Sequence, residues 1–163
     1  MQLKKDGLTE ASSILVKQAR EMPGFDFLKA ILNGELPSPP LLETLDFRLT
    51  SVGNGKTTFS IRPQPIHYNG LGVVHGGIIT TILDSAMSCS LHSLLPLGTL
   101  YTTLELKVNF FKSVTIQTGE LTAEGHIIHK GRSTAVMECT LVDEDDNKYA
   151  HGVSTCLIFD KNQ

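Results

Sequence analysis

The sequence lacks the features that would place the protein in several functional classes. No run of five or more basic residues occurs, and the formal net charge is −3 with a pI of about 6.0. These values argue against nucleic acid or an anionic membrane as the main partner. No apolar run reaches the roughly 18 residues of a membrane span, so no membrane partner is expected. Internal repeats and low-complexity tracts are also missing.

Cysteine is scarce, and its spacing excludes two further kinds of site. Cys89, Cys139 and Cys156 form neither a CxxC pair nor a metal-type cluster. Polar and charged residues follow Lys4 and Lys5, unlike the apolar core of a signal peptide. An odd number of cysteines without a leader suggests reduced thiols, so we expect a cytoplasmic protein.

The composition indicates a globular chain, and proline divides it into two segments. The 163 residues are 40% hydrophobic and 19% charged, which suits one domain with a substantial core. Residues 9–32 have a helical pattern interrupted at Pro23-Gly24, and the prolines of "NGELPSPP" end it. We therefore predict an N-terminal helical arm over 1–36 and the main domain over 37–163.

The main domain begins with short strands. A period-two segment, the turn "GNGK" and a return strand predict a hairpin. Further on, "YTTLELKVNFF" predicts a strand with Leu104, Leu106, Val108 and Phe110 on one face. Three more strands follow, so the order is β-β-α-β-β-β-β. A single long helix cannot supply parallel crossovers, and the pattern predicts an α+β fold with one antiparallel sheet and a helix packed on it.

The predicted long helix, about residues 75–95, contains an isolated carboxylate. Asp84 is the only Asp, Glu, Lys or Arg between residues 62 and 105. A helix that is apolar on nearly all sides is buried, either by its own sheet or by the sheets of two subunits. Asp84 is then either a core carboxylate satisfied by Ser85, Ser88 or backbone, or a general base or nucleophile with a perturbed pKa.

Glycines precede this helix. "GLGVVH" resembles a dinucleotide-binding GxGxxG, but His75 stands where the third glycine belongs, and we reject that function. Gly76 and Gly77 fall at the predicted helix start, where N–H groups have no helical partner and a substrate can approach the backbone. The alternatives are an oxyanion hole and a plain glycine-rich helix entry.

The histidines do not indicate a metal site. His75 has Ile79, not a ligand, at i+4, and "HIIH" places His126 and His129 on opposite faces of a regular strand. We expect no metal and no cofactor. His75 is therefore either a catalytic base or a structural hydrogen-bond donor.

The spacing of Gly76 and Asp84 has a geometric consequence. Eight residues of helix separate them, which is about 12 Å. If both act on one carbonyl carbon, Asp84 must come from a second subunit, and the active sites lie across a two-fold dimer interface.

Four segments together resemble a known family. "HYNGLGVVHGG…LDSAM", "YTTLELKVNF", "HKGRST" and "AHGVSTCLI" resemble the hotdog-fold acyl-CoA thioesterases, in particular the phenylacetate-degradation (PaaI-like) type, over residues 37–159. The resemblance implies a curved antiparallel sheet wrapped around one long central helix. It also implies a homodimer with a continuous sheet and shared active sites, often paired again as a tetramer.

The resemblance also implies residue roles. The Gly76 N–H would polarise the thioester carbonyl, and Asp84 of the partner subunit would be nucleophile or general base. Asn69 would hold the water or carbonyl, His75 would orient the loop, and Thr103 would position water. Gly70 stands where many relatives have proline. The turn of residues 130–133 would meet the phosphates of coenzyme A. The expected substrate contacts are Gly77, Ser85, Lys130, Gly131, Arg132 and Ser133.

These roles lead to an expected activity, the hydrolysis of an acyl-CoA to free acid and CoA. We expect a medium-sized apolar or aromatic acyl group, in a pocket lined by Leu71, Val73, Val74 and Met87. An acyl-thioester dehydratase or hydratase and a non-catalytic acyl-CoA-binding module are the alternatives. The arm either covers the acyl tunnel or only pads the sheet.

Overall fold

The structure, a computed structural model, describes residues 7–160. The ends of the predicted segments 1–36 and 37–163, and with them Lys4 and Lys5, lie outside the described residues. The helices are α1 (Glu10–Glu21), α2 (Gly24–Leu32), α3 (Pro40–Thr44) and α4 (Gly76–His92). The strands are β1 (Phe47–Gly53), β2 (Lys56–Ile61), β3 (Thr99–Phe110), β4 (Leu121–Lys130), β5 (Thr134–Val142) and β6 (Lys148–Asp160).

The arm contains the two helices expected from its pattern. The Thr9 side chain caps α1 by accepting the Ser12 N–H at 3.0 Å. Helix α1 ends before Pro23, which is the N-cap residue of α2. The prolines of this segment predict only the end of a helix, so α3 is not expected from the sequence. Pro40 instead occupies the first turn of α3, where its missing N–H costs no hydrogen bond.

The six strands form one antiparallel sheet in the order β1-β2-β4-β5-β6-β3. This confirms the α+β prediction. The sheet curves around α4, and most of the apolar side chains of this helix lie in the core. Those with no exposed surface are Ile82, Leu83, Ala86, Met87 and Leu91.

Helix and sheet approach each other most closely at Gly125 of β4. A Cβ on this residue would lie 2.3 Å from the Ala86 carbonyl oxygen, so only glycine fits without movement of the backbone. The Thr57 hydroxyl donates to the same carbonyl at 2.7 Å. The buried hydroxyl thereby gains a partner and ties β2 to the middle of α4.

Two β-bulges place some side chains on a different face of the sheet from the one that the sequence predicts. The register of β3 against β6 shifts between Thr103 and Glu105, which leaves Leu104 unpaired and 59% exposed. The prediction that Leu104 shares a face with Leu106 and Val108 is therefore wrong, because a bulge inserts one residue into the alternation.

The second bulge lies in β4, between Ile127 and His129. His126 pairs with Glu138 and His129 pairs with Val136, two residues away on β5. Both histidines therefore lie on the same outer face of the sheet, and the prediction of opposite faces is wrong. Glu138 instead bridges His126 and His151, with N–O distances of 3.0 and 3.1 Å.

The arm has its own small apolar cluster against the domain, formed by Leu15, Phe27 and Leu28 with Val52 of β1. Among the helices of residues 7–160, none is long and apolar enough to cross a membrane.

Candidate active site

The start of α4 is held by backbone hydrogen bonds and capped by His75. The His75 Nδ1 accepts the Gly77 N–H at 2.9 Å, and its carbonyl oxygen accepts the Ile78 N–H at the same distance. The Gly76 N–H makes no hydrogen bond within residues 7–160. Because the helix dipole adds positive charge here, Gly76 presents a free donor suited to a carbonyl oxygen.

Gly76 lies beside a cavity and beneath an aromatic ring. A Cβ here would lie 3.2 Å from Cζ of Phe110, at the end of β3, so the ring packs closely over the glycine. A cavity of about 280 Å³ adjoins it. The alternation of β3 predicts an inward Phe110, but nothing in the sequence indicates that the ring covers Gly76.

Asn69 holds the loop that precedes α4. Its side-chain oxygen accepts the N–H groups of Leu71 at 2.8 Å and Val73 at 3.4 Å. Its backbone N–H donates to the Val73 carbonyl at 2.8 Å. Asn69 therefore orients the loop locally, and the expected contact with water or substrate stays a prediction.

Asp84 lies two turns further along α4 and contacts β3. The Thr103 hydroxyl donates to its Oδ1 at 3.2 Å. The bulge at Leu104 makes this contact possible. In a regular strand Thr103 would share the outer face with Glu105, whereas the extra residue turns it inward, towards α4.

The surroundings of Asp84 shift the pKa of its carboxyl group in two opposite directions. Burial raises the pKa of the half-buried carboxyl, and the hydrogen bond from Thr103 partly opposes this by favouring the charged form. The Ser85 hydroxyl donates to the Thr81 carbonyl, and the Ser88 hydroxyl donates to the backbone carbonyl of Asp84. The two serines thus satisfy the helix backbone rather than the carboxylate, and Thr103 is its hydroxyl partner.

Gly76 and Asp84 occupy positions eight residues apart on α4, about 12 Å along the axis. The structure therefore does not bring the free N–H and the carboxylate together within one chain. Asp84 and Thr103 instead lie near β3, which forms one edge of the sheet and pairs with β6 alone among the described strands.

The predicted phosphate-binding turn joins β4 to β5. The Gly131 N–H donates to the Thr134 carbonyl, and the Ser133 carbonyl accepts the Ile158 N–H, both at 2.8 Å. Lys130 and Arg132 are exposed, and they make no ion pair within the described part of the chain. The turn thus presents two unpaired cations.

The residues predicted to line the acyl pocket lie apart. Leu71 is 89% exposed on the loop, whereas Met87 has no exposed surface and packs near Gly152 in the core. Val73 and Val74 line the cavity beside Gly76. A pocket of these four residues is therefore not present in this chain.

Metal ligands do not cluster in the described residues, where no three His, Cys, Asp or Glu side chains are placed to hold an ion. The site consists instead of two parts. One is the free Gly76 N–H with its cavity, and the other is the Asp84 carboxylate with the Thr103 hydroxyl.

Comparisons with known proteins identify similar chains. The model of the thioesterase superfamily matches residues 71–150, which include both parts of the site. The 1,4-dihydroxy-2-naphthoyl-CoA hydrolase of Listeria monocytogenes is 28% identical over 118 residues, which is 72% of this chain and 93% of that protein.

Solved structures show the same fold. A thioesterase from Haemophilus influenzae superposes with a TM-score of 0.73 at 18% identity, over 83% of this chain and 92% of that one. The PaaI protein of the E. coli phenylacetic acid degradation operon gives 0.71 at 17% identity, over 81% and 93%. Together with the match to the thioesterase superfamily, these comparisons confirm the resemblance seen in the sequence: the chain has the hotdog fold and is a thioester hydrolase.

Proposed function

We propose that the protein is an acyl-CoA thioesterase whose active site is completed by two copies of the chain. The single observation that carries the proposal is the pairing of a free Gly76 N–H with a half-buried, Thr103-bonded Asp84 on one helix, too far apart to act together within that chain. In the proposed dimer, Gly76 of one subunit faces Asp84 of the other.

The chemistry divides between the two parts. The Gly76 N–H donates to the thioester oxygen as negative charge develops there, and the helix dipole strengthens this donor. Asp84 either takes the proton of the attacking water or attacks the carbonyl carbon itself and is then released by water. The C–S bond breaks, the carbonyl carbon gains an oxygen, and the departing CoA sulfur takes up the proton. No metal or cofactor is needed for this sequence.

The open edge of β3 supports the dimer. An unpaired strand of 12 residues exposes N–H and C=O groups that a second copy of β3 would satisfy. Large apolar side chains also lie exposed along and just beyond it, with Leu104 at 59%, Phe110 at 52% and Phe111 at 54%. A two-fold pairing here would continue the sheet and bring the two α4 helices side by side.

Complementation tests the shared site directly. Gly76→Pro removes the N–H while retaining a residue suited to the first helical turn, and the extended His75 before it accepts a following proline. Asp84→Asn removes the base. Thiol release from acyl-CoAs should fall at least about a hundredfold in either variant alone.

Co-expression of the two variants should then restore about a quarter of wild-type activity, since about half of the dimers are mixed and each contains one intact site. Gly76→Ala is the matched control, because it adds the same Cβ beneath the Phe110 ring and keeps the N–H. Absence of restoration would refute the shared site. Wild-type binding of acyl-CoA without turnover would favour a binding module, and hydration of an enoyl thioester would favour the hydratase.

We assign the binding of the coenzyme A phosphates to the turn of residues 130–133, because its two cations, Lys130 and Arg132, are exposed and unpaired. Lys130→Glu should raise KM for an acyl-CoA several-fold but leave a phosphate-free acyl pantetheine unaffected. Lys17→Glu, an exposed lysine on α1, is the control. Equal effects of Lys130→Glu on the two substrates would refute the assignment.

A further inference from the structure

A row of polar contacts continues from the active site along the groove between α4 and β3. Asp84 meets Thr103 through the hydrogen bond at 3.2 Å. One helical turn later on α4, and two residues earlier on β3, Ser88 meets the Tyr101 side chain. One more turn brings His92 against the same tyrosine, with ring centroids 5.4 Å apart. The groove therefore leads from the reacting groups towards the end of α4.

A partly open, largely apolar cavity of about 260 Å³ lies in this groove. Its lining begins at Ser85, the residue after Asp84, and contains no Asp, Glu, Lys or Arg. The volume is close to the lower end of the roughly 300–1,000 Å³ usual for ligand pockets, which suits a single ring or a medium-length chain. The lining from the domain and α3 is Leu41, Leu42, Leu49, Phe59, Ser85, Ser88, Cys89, His92 and Tyr101.

The N-terminal arm provides the remaining wall. Phe27, Leu28 and Ile31 of α2 line the cavity. Phe27 stacks on His92 with a centroid distance of 5.3 Å and an interplanar angle of 24°. The arm therefore does more than cover the sheet, because one face of the cavity consists of its side chains.

The arm is fixed in place at its glycine. The Gly24 N–H donates to the Leu95 carbonyl at 3.0 Å, just beyond the end of α4. A Cβ on Gly24 would lie 1.9 Å from the His92 carbonyl oxygen, so the backbones touch and no larger residue fits. This contact sets the position of α2 relative to the groove.

The ring cluster of Phe27, His92 and Tyr101 lies between this cavity and a second one. The second cavity, of about 440 Å³, is lined by α1 residues including Leu15 and Val16, and it shares the three rings with the first. The rings therefore mark the far end of the first cavity, at the boundary with a larger space.

The polar groups in the cavity are uncharged at neutral pH. Burial lowers the pKa of His92 to about 4 and raises that of the Cys89 thiol to about 12. A carboxylate entering the cavity would therefore find no cation, and burying it unpaired would be costly.

From this geometry we propose that the arm is the specificity element of the enzyme: α2 and the Phe27–His92 stack close an acyl pocket that takes an uncharged ring or medium-length chain. The inference rests on the proposed thioesterase activity, because the pocket begins next to Asp84. Ser85 and Ser88 in the lining are the α4 residues nearest to Asp84, and Phe27, His92 and Tyr101 are the rings that the pocket shares with the second cavity.

The test fills the pocket from the arm side. Ile31→Trp places bulk in the cavity from α2, and Ile14→Trp makes the same change on α1, where Ile14 is 39% exposed and lines neither cavity. Thiol release is measured with acetyl-CoA, hexanoyl-CoA and adipoyl-CoA, which is hexanoyl with a terminal carboxylate. Binding of a non-hydrolysable hexanoyl thioether of CoA is measured alongside.

Ile31→Trp should lower kcat/KM for hexanoyl-CoA at least about tenfold and leave acetyl-CoA within about twofold, while Ile14→Trp changes neither. Wild type should turn over adipoyl-CoA at least about tenfold less well than hexanoyl-CoA. If Ile31→Trp does not fold by circular dichroism, Leu41→Trp fills the cavity from α3, where Leu41 is 49% exposed.

Three outcomes would overturn the inference: a uniform effect of Ile31→Trp on both acyl lengths, no effect on either, or equal use of adipoyl-CoA and hexanoyl-CoA. Failure of the proposed function is distinct, since wild type would then release no thiol from any acyl-CoA. In that case weaker binding of the thioether by Ile31→Trp still supports the arm as the pocket wall, and unchanged binding refutes it.

Discussion

The hydrogen bond from Thr103 to Asp84 predicts how the activity depends on pH. Thr103→Val removes the hydroxyl and keeps the shape of the side chain. The hydroxyl favours the charged carboxylate, so its loss raises the pKa of Asp84 beyond the increase that burial already causes. Only the ionised carboxylate acts as base or nucleophile, and activity should therefore be lost on the acidic side of the pH profile.

The size of the effect follows from the geometry. Hydrogen bonds to charged groups contribute about 1.5–3 kcal/mol. A distance of 3.2 Å is long for such a bond and the carboxyl is partly exposed, so the lower end applies. About 1.4 kcal/mol corresponds to a factor of about ten in the ionised fraction. Thr103→Val should thus reduce kcat/KM about tenfold at acidic pH, where most of the Asp84 carboxyl is protonated. The reduction should be much smaller at higher pH, where the carboxyl is ionised in both proteins.

The assay is thiol release from one acyl-CoA between pH 5 and 9, followed for wild type, Thr103→Val and Thr103→Ser. The serine variant retains a hydroxyl and should retain the wild-type profile. A uniform loss at all pH values in Thr103→Val would show that Thr103 acts otherwise than through the ionisation of Asp84. An unchanged profile would show that the hydrogen bond has no effect on the reacting group.

Three further predictions concern stability and reactivity. Gly125→Ala, whose Cβ would lie 2.3 Å from the Ala86 carbonyl oxygen, should lower the free energy of unfolding in urea by about 3 kcal/mol, against less than about 0.5 for Gly70→Ala; similar values for both would contradict the close packing. The pKa of His92 lies at about 4 in the fold, below its ordinary 6.5, so the unfolded chain binds its proton first. Stability should fall by about 3 kcal/mol as pH drops from about 6.5 to 4, and His92→Gln should flatten this dependence in urea titrations at several pH values. Cys139 is fully buried, and burial raises the pKa of its thiol, so a thiol reagent should modify it only after denaturant is added.

The sequence predicted those parts of the fold that depend on periodicity over many residues. The succession of strands along the chain and the long apolar helix followed from alternation and from the charge-free segment around Asp84, and both are present in the structure. The α+β class required only that one long helix cannot connect parallel strands. These are averages over whole elements, so single exceptions do not change them.

Features that depend on one residue could not be predicted in this way. A bulge such as the one at Leu104 inserts one residue without changing composition or hydropathy. The side chains of the strand residues before it then lie on the opposite face of the sheet from the one that regular alternation predicts. The docking of the arm depends on Gly24 meeting the end of α4, a contact between distant parts of the sequence. For the same reason the sequence predicts the acyl pocket on the glycine loop, whereas in the structure a partly open apolar cavity lies between the arm and α4.

The unpaired Leu104 links the length of β3 to the position of Thr103. Its side chain is exposed and adds little to the core of the chain, so other apolar residues that suit the proposed interface should serve equally well there. Its backbone, however, is indispensable. Deleting this one amino acid would rotate the preceding stretch by half a turn and direct the hydroxyl of Thr103 into solvent. Replacement of Leu104 by another apolar residue should therefore be tolerated during evolution, whereas its deletion should not.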